Sequence, residues 1–360
     1  MKEQFLSYKL NNMSLTDKIG QMIMIDYRDV TEINVELEKI LTTYNPGGFI
    51  LFKSNVASFN QTQRFLNDIR SSTNIETIIS VDQEGGRVQR LDKRIGFENY
   101  PSMSEIGKTM NENLAFELGA KMGAELKSIG VDMNMAPVLD IFSNPQNTVI
   151  ADRAFGTNSE LVKKMAFAYA EGLRKENIIA VGKHFPGHGD TIKDSHVDLP
   201  IIEKDLETLK QLELIPFIEA VNKKLPGLMV AHIAVPKITH DLLPASLSKI
   251  MISDLLKNEI GYNGLIMPDS LKMKALANYF KNEDIYLRCI DAGNDFLLMP
   301  QDVKEAYEVI YRKVNEGVIP IERIEQSVYK ILSTKFDYGF FKNEYNDFLK
   351  YNSLAERKRG

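Results

Sequence analysis

Residues 178–200 read IIAVGKHFPGHGDTIKDSHVDLP. The branched and apolar run Ile178–Val181 predicts a short strand buried on both faces. It ends in Lys183 and His184, and then Pro186, Gly187 and Gly189 forbid regular continuation. Three of the five histidines in the chain fall in the thirteen residues from His184 to His196, with Asp190, Asp194 and Asp198 interleaved. A cationic pair at the end of a strand, followed by a polar glycine-bearing loop, is the expected make-up of a binding floor with a movable lid.

The same motif, an apolar run stopping at polar residues, recurs along the chain. Before it come Gln21–Ile25 (then Asp26), Gly48–Phe52 (Lys53), Thr77–Val81 (Asp82) and Met133–Val138 (Asp140). After Ile178–Gly182 come Leu228–Ala231 (His232), Gly264–Met267 (Asp269) and Asp295–Met299. Between them, segments 31–43, 58–70, 111–129, 159–175, 203–223, 247–259 and 281–292 carry helical apolar spacing. Helical patterns at 303–316 and 322–334 follow the last run. Eight apolar strands alternating with helices predict a single-domain α/β fold, a TIM (β/α)8 barrel, over residues 1–360. Ser14 is the expected cap of a helix before the first strand. Segment 1–18 and the Phe- and Tyr-rich tail 335–360 are expected to pack on the barrel, the tail against it or against a second subunit.

The chain is 44% hydrophobic and 26% charged, with a net charge of −5 and no long basic block. These values fit a soluble enzyme and argue against a nucleic-acid partner. The single cysteine, Cys289, excludes an intramolecular disulfide and fits a reducing compartment. No apolar run is long enough for a membrane span, and the N-terminal stretch lacks a signal-peptide core, so a cytoplasmic location is expected. A small-molecule substrate and a monomer or weak dimer are the expected partnership.

In a barrel, residues that end strands meet on one face. Asp82, Lys183, His184, His232 and Asp269 are therefore expected in one pocket, with Arg90 and Arg153 contributed by the loops after the third and fourth strands. Two arginines there suit ligands bearing hydroxyl or carboxylate groups. Asp269 beside cations stays ionised, fit for a nucleophile, although Asp before Ser-Leu-Lys-Met also suits a helix N-cap. Asp194 and His196, two apart in an extended segment, face the same side, so the carboxylate can orient the imidazole for proton transfer. A solvated loop histidine is the plainer reading. His184 and His188, four apart, also raise a metal site, but Pro186 and Gly187 remove the helical ligand spacing. No phosphate-cradling glycine motif is present.

Several stretches, in order, resemble glycoside hydrolase family 3, in its bacterial β-N-acetylglucosaminidase branch. They are GGFILFKSN (47–55), VDQEGGRVQRL (81–91), MAPVLDI (135–141), DRAFG (152–156) and KHFPGHGDTIKDSH (183–196). AHIAVP (231–236), PASLS (244–248) and PDSLKM (268–273) complete the series. The resemblance implies a TIM barrel that hydrolyses terminal β-linked N-acetylglucosamine with retention and without metal or cofactor. By position, Asp269 is similar to the family's nucleophile, His196 to its general acid/base and Asp194 to that histidine's partner. Asp82, Arg90, Arg153, Lys183 and His184 are similar to the sugar-binding positions. The chain departs from the family pattern at Pro268, Ser270 and Asp152, none of them a reacting group. The resemblance further implies cytoplasmic recycling of cell-wall fragments, releasing N-acetylglucosamine from 1,6-anhydro-N-acetylmuramic acid with or without its peptide. N-acetylglucosaminide phosphorolysis, non-catalytic sugar binding and metal-dependent hydrolysis are the rival expectations.

Overall fold

The computed structural model describes residues 1–191 and 198–357. At its centre are β1 (Ile23–Ile25), β2 (Gly48–Leu51), β3 (Ile78–Val81) and β4 (Met133–Asn134). They are followed by β5 (Ile179–Phe185), β6 (Gly227–Val230), β7 (Leu265–Pro268) and β8 (Leu297–Leu298). All neighbours pair in parallel in the order β7-β6-β5-β4-β3-β2-β1-β8. Each strand thus lies beside its sequence neighbour, and β1 also meets β8. The result is the expected TIM barrel, nearly closed and surrounded by helices. Every strand is buried along its whole length, which is why the strands read as unbroken apolar runs.

The seam between β7 and β8 has no regular ladder and is stitched by a side chain instead. Asp295 N–H donates to Ile266 O at 2.7 Å, and Ile266 N–H donates back to Asp295 Oδ2 at 2.9 Å. Asp132 makes the same exchange with Ile79 where β4 begins beside β3, at 2.9 Å in both directions. A carboxylate at the head of a strand thereby stands in for part of a ladder, and two-residue strands suffice.

The expected elements form, with three departures. Segment 203–223 is two helices, Leu206–Gln211 and Ile215–Asn222, because the Pro216 ring lacks an N–H and would clash with the carbonyl a turn earlier. Ile250–Glu259 winds as a π-helix. β5 runs through Lys183 and His184 to Phe185, past the expected stop at Gly182, since Pro186 is the first residue that cannot donate to a neighbour. Ser14 caps Leu15–Gln21 as read from sequence, in a box with Asp17. Among the described residues no helix is long and apolar enough to cross a membrane.

Lys2–Asn11 and Lys342–Arg357 are helices at the two ends of the chain, and they close the barrel floor together. Phe5 packs against the rings of Phe336, Phe341, Tyr345 and Phe348, with centroids 5.3–6.0 Å apart. Lys335, fully buried, donates to Gln21 Oε1 and Glu76 O, both at 2.6 Å, just before β1 and β3. The floor is therefore built at the N-terminal ends of the strands. This leaves the opposite ends free for chemistry.

Candidate active site

The C-terminal ends of the strands open into a cavity of about 910 Å³. Asp82, Arg90, Arg153, Lys183, His184 and Asp269 all line it, although 187 positions separate the first from the last. Asp194 and His196 lie outside the described residues.

The centre of this cavity is a residue to which the sequence reading gave no role. Glu84 is 1% exposed. It accepts two bonds from Arg153, Nε to Oε2 at 2.9 Å and Nη2 to Oε1 at 2.8 Å, and Lys183 Nζ lies 2.6 Å from Oε1. Lys183 Nζ also donates to Asp82 Oδ1 at 2.8 Å, and Arg90 Nη2 stands 3.7 Å from Asp82 Oδ2. Burial alone would raise the Glu84 carboxyl, but Arg153 and Lys183 outweigh it and hold the group ionised well below the usual carboxylate range. Burial likewise opposes the charge on Lys183 and Arg153. Their carboxylate neighbours reverse that, and both end above their ordinary values. The four groups form one connected row of alternating charge, Asp82, Lys183, Glu84, Arg153. Glu84 follows Asp82 by two positions, and in an extended segment that spacing alone points both to one side.

The loop that carries Arg90 is shaped from within. Gln83 Oε1 accepts from Arg90 N at 2.8 Å and Leu91 N at 3.1 Å, while its amide donates to Leu91 O at 2.7 Å. Gly85 turns the chain at φ +100, and a Cβ there would lie 2.3 Å from Pro101 O, so glycine is required. Arg90 Nε is buried and has no hydrogen-bond partner among the described residues.

Asp140 is the second residue whose role sequence did not disclose. It is fully buried at the end of the β4 segment. Its Oδ2 lies 2.6 Å from His184 Nδ1, and its Oδ1 accepts from the backbone N–H of His184 at 3.1 Å and of His188 at 2.6 Å. Burial would raise this carboxyl too, but the facing histidines lower it. With Nδ1–H given to Asp140, His184 Nε2 is the acceptor facing Arg153 Nη2 at 3.3 Å. A line of contacts thus runs Asp140, His184, Arg153, Glu84, Lys183, Asp82. His188 beside it is buried, and burial together with His184 pushes it down to about 4. No group of three metal-ligating side chains occurs among the described residues.

Asp269 follows β7. Its N–H donates to Val230 O at 2.8 Å and its Oδ1 accepts from Ser270 N at 2.7 Å. The helix-cap alternative does not hold, since the next helix is Lys274–Ala277, with Met273 before it. His232, expected in the pocket, is buried behind it and does not line the cavity. Its Nε2–H donates to Ser270 O at 2.9 Å, and Ser246 Oγ meets Nδ1 at 2.6 Å. His232 therefore fixes the backbone that carries Asp269. His232 lies two residues past the end of β6, where these two bonds hold its ring behind the wall. Asp26, after β1, joins the wall unforeseen, with Lys272 Nζ at 2.6 Å and Arg28 Nε at 3.1 Å.

Comparison with known proteins bears on the family. The model of the glycosyl hydrolase family 3 N-terminal domain matches residues 14–334. The β-hexosaminidase of Idiomarina loihiensis is 36% identical over 292 residues, covering 80% of this chain and 86% of that protein. β-Hexosaminidase A of Pseudoalteromonas piscicida is 31% identical over 331 residues, 82% of this chain but only 55% of that protein. The structure of a family 3 β-N-acetylglucosaminidase from Paenibacillus sp. str. FPU-7 superposes with a TM-score of 0.88 at 34% identity. It covers 91% of this chain and 63% of that one, so this chain spans little more than half of some relatives. From the barrel, the row of charge at its strand ends and the extent of the match, the chain belongs to the glycosyl hydrolase family 3 N-terminal domain family.

Proposed function

We propose that this chain is a retaining exo-β-N-acetylglucosaminidase acting on cell-wall muropeptides, N-acetylglucosamine linked to 1,6-anhydro-N-acetylmuramic acid with or without its peptide. It acts as a single (β/α)8 catalytic domain in the cytoplasm, without metal or cofactor. The observation that carries the reading is one shared cavity: Asp269, at the tip of β7, opens onto the same space as the Asp82–Lys183–Glu84–Arg153 network. The relatives named β-hexosaminidase and β-N-acetylglucosaminidase support the sugar.

In this reading Asp82, Arg90, Arg153, Lys183 and His184 hold the terminal sugar by its hydroxyl and acetamido groups. An Asp269 carboxylate oxygen attacks the anomeric carbon while the bond from that carbon to the leaving oxygen breaks. His196, paired with Asp194, gives its proton to the leaving oxygen. Water then attacks the same carbon, returns a proton to His196 and releases Asp269, so two inversions give net retention. A histidine takes the place of the acid carboxylate usual in glycosidases.

The experiment is to react the enzyme with a slow fluorinated N-acetylglucosaminide and locate the modified peptide by mass spectrometry. A label on Asp269, lost together with turnover in Asp269→Ala, is the expected result. A label elsewhere, or a product of inverted configuration, would overturn the reading.

A further inference from the structure

The charges of the cavity fall into two tiers. In the inner tier Lys183 and Arg153 are already matched with Asp82 and Glu84 at 2.6–2.9 Å. In the outer tier Arg28, Lys272 and Lys274 line the mouth together with Asp26, which pairs with the first two. Asp26 has a side chain only 3% exposed, and its two oxygens are each taken, by Lys272 at 2.6 Å and Arg28 at 3.1 Å. Its charge is sunk in the wall, while the side chains of Arg28 and Lys272 remain 50% and 36% exposed and Lys274 is exposed as well. With Arg90 and Asp269 included, six Lys and Arg side chains and four carboxylates line the cavity among the described residues, a surplus of two positive charges on a chain whose net charge is −5. A local surplus against the sign of the whole molecule concentrates anions at that point.

The rim also has an apolar wall. The Arg28 guanidinium sits 3.9 Å from the centroid of Phe52, stacked and held in place, and Val30 and Met273 continue the surface. A stacked guanidinium has lost much of its side-chain freedom before any ligand arrives, so its bidentate fork is presented at little further cost.

We infer that this rim is a leaving-group subsite in which Arg28, Lys272 and Lys274 select an aglycone bearing a carboxylate next to an apolar face. The inference rests on the hexosaminidase reading, which puts the released sugar in the inner tier and therefore the leaving group in the outer one. It adds the residues that read the leaving group and the charge they require.

The test compares two aryl N-acetyl-β-glucosaminides, one with a carboxylate on the ring and one with a carboxamide at the same position. Wild-type kcat/KM is expected to favour the carboxylate by about fivefold or more, the range of a charge-assisted contact at a half-exposed site. The preference falls towards one in the Arg28→Gln, Lys274→Gln double variant and in about 0.5 M salt, where exposed charges are screened. Arg28→Lys, which keeps the charge, retains most of it. A wild-type ratio of one, or a double variant that slows both substrates in proportion, would overturn the subsite. Failure to release either phenol would instead overturn the hexosaminidase reading, and the subsite with it.

Discussion

Glu84 shows how much of the site rests on a single buried charge. It is the only carboxylate that touches both Lys183 and Arg153 among the described residues. Glu84→Gln keeps the shape but leaves Lys183 with Asp82 alone and takes from buried Arg153 the carboxylate it pairs with, and removing one partner of a buried ion pair costs about 3–5 kcal/mol. The expected result is a loss in kcat/KM of about a hundredfold or more, with Glu84→Asp recovering part of it. Steady-state kinetics alongside circular dichroism checks this, since a folded Glu84→Gln variant with wild-type kinetics would refute the role. Asp82, Lys183 and His184 were legible in the sequence because each marks where an apolar run stops. Glu84 was not, because a glutamate before Gly85-Gly86 reads equally well as a turn residue. Nothing in a linear pattern says that a carboxylate will be buried between two cations brought from β5 and the loop after β4. His232 failed in the opposite sense. It also follows an apolar run, but its bonds to Ser246 and the Ser270 carbonyl hold it behind the wall.

Among the elements, the β7–β8 seam bears most directly on the chemistry, because Asp269 sits at its upper end. β8 lies between β7 and β1, and the Lys272–Asp26 pair reaches across it from the loop after β7 to the end of β1. Leu271 N–H adds a bond to Leu298 O at 2.9 Å. The pair thus straps down the segment carrying Asp269 where the sheet supplies no ladder. A double-mutant cycle with Asp26→Asn and Lys272→Met is expected to show a coupling of about 1–3 kcal/mol in stability. Each single variant should also slow covalent labelling of Asp269 by the fluorinated substrate. Additive stabilities with unchanged labelling would show the pair to be mere surface charge. The strands were readable to within a few residues from apolar runs, whereas this strap was not, since it joins positions 26 and 272. Pro216 was visible in the sequence and still underweighted: the apolar spacing on both sides of it ran on as if the helix did.

At the scale of the whole molecule, the eightfold alternation of apolar runs and helical segments was enough to name the barrel. The floor was less legible. A Phe- and Tyr-rich tail predicts packing but not its partner, and the helix Lys2–Asn11 carried too weak an apolar stripe to announce itself. The floor also buries Lys335 against two neutral acceptors. Burial pushes its ammonium down to about 7, with Glu76 and Asp132 offsetting only part. Below about pH 7 both folded and unfolded chains carry the proton, and the burial penalty is fully present. Between about 7 and the ordinary lysine value near 10.4 only the unfolded chain holds it, so this residue makes stability rise with pH. Wild-type stability measured by denaturant unfolding should climb relative to Lys335→Met over that window, by up to about 1.4 kcal/mol per pH unit. Parallel pH profiles for the two proteins would show that Lys335 keeps its proton throughout.

The ring cluster around Phe5 has a temporal consequence. Phe5 must wait for its partners, since Phe336, Phe341 and Phe348 emerge more than three hundred residues later. Until then a nascent chain holds a cylinder with an unfinished base and exposed aromatic surface, the kind of intermediate that invites chaperones. The catalytic rim, at the other end, can be assembled before that base is sealed.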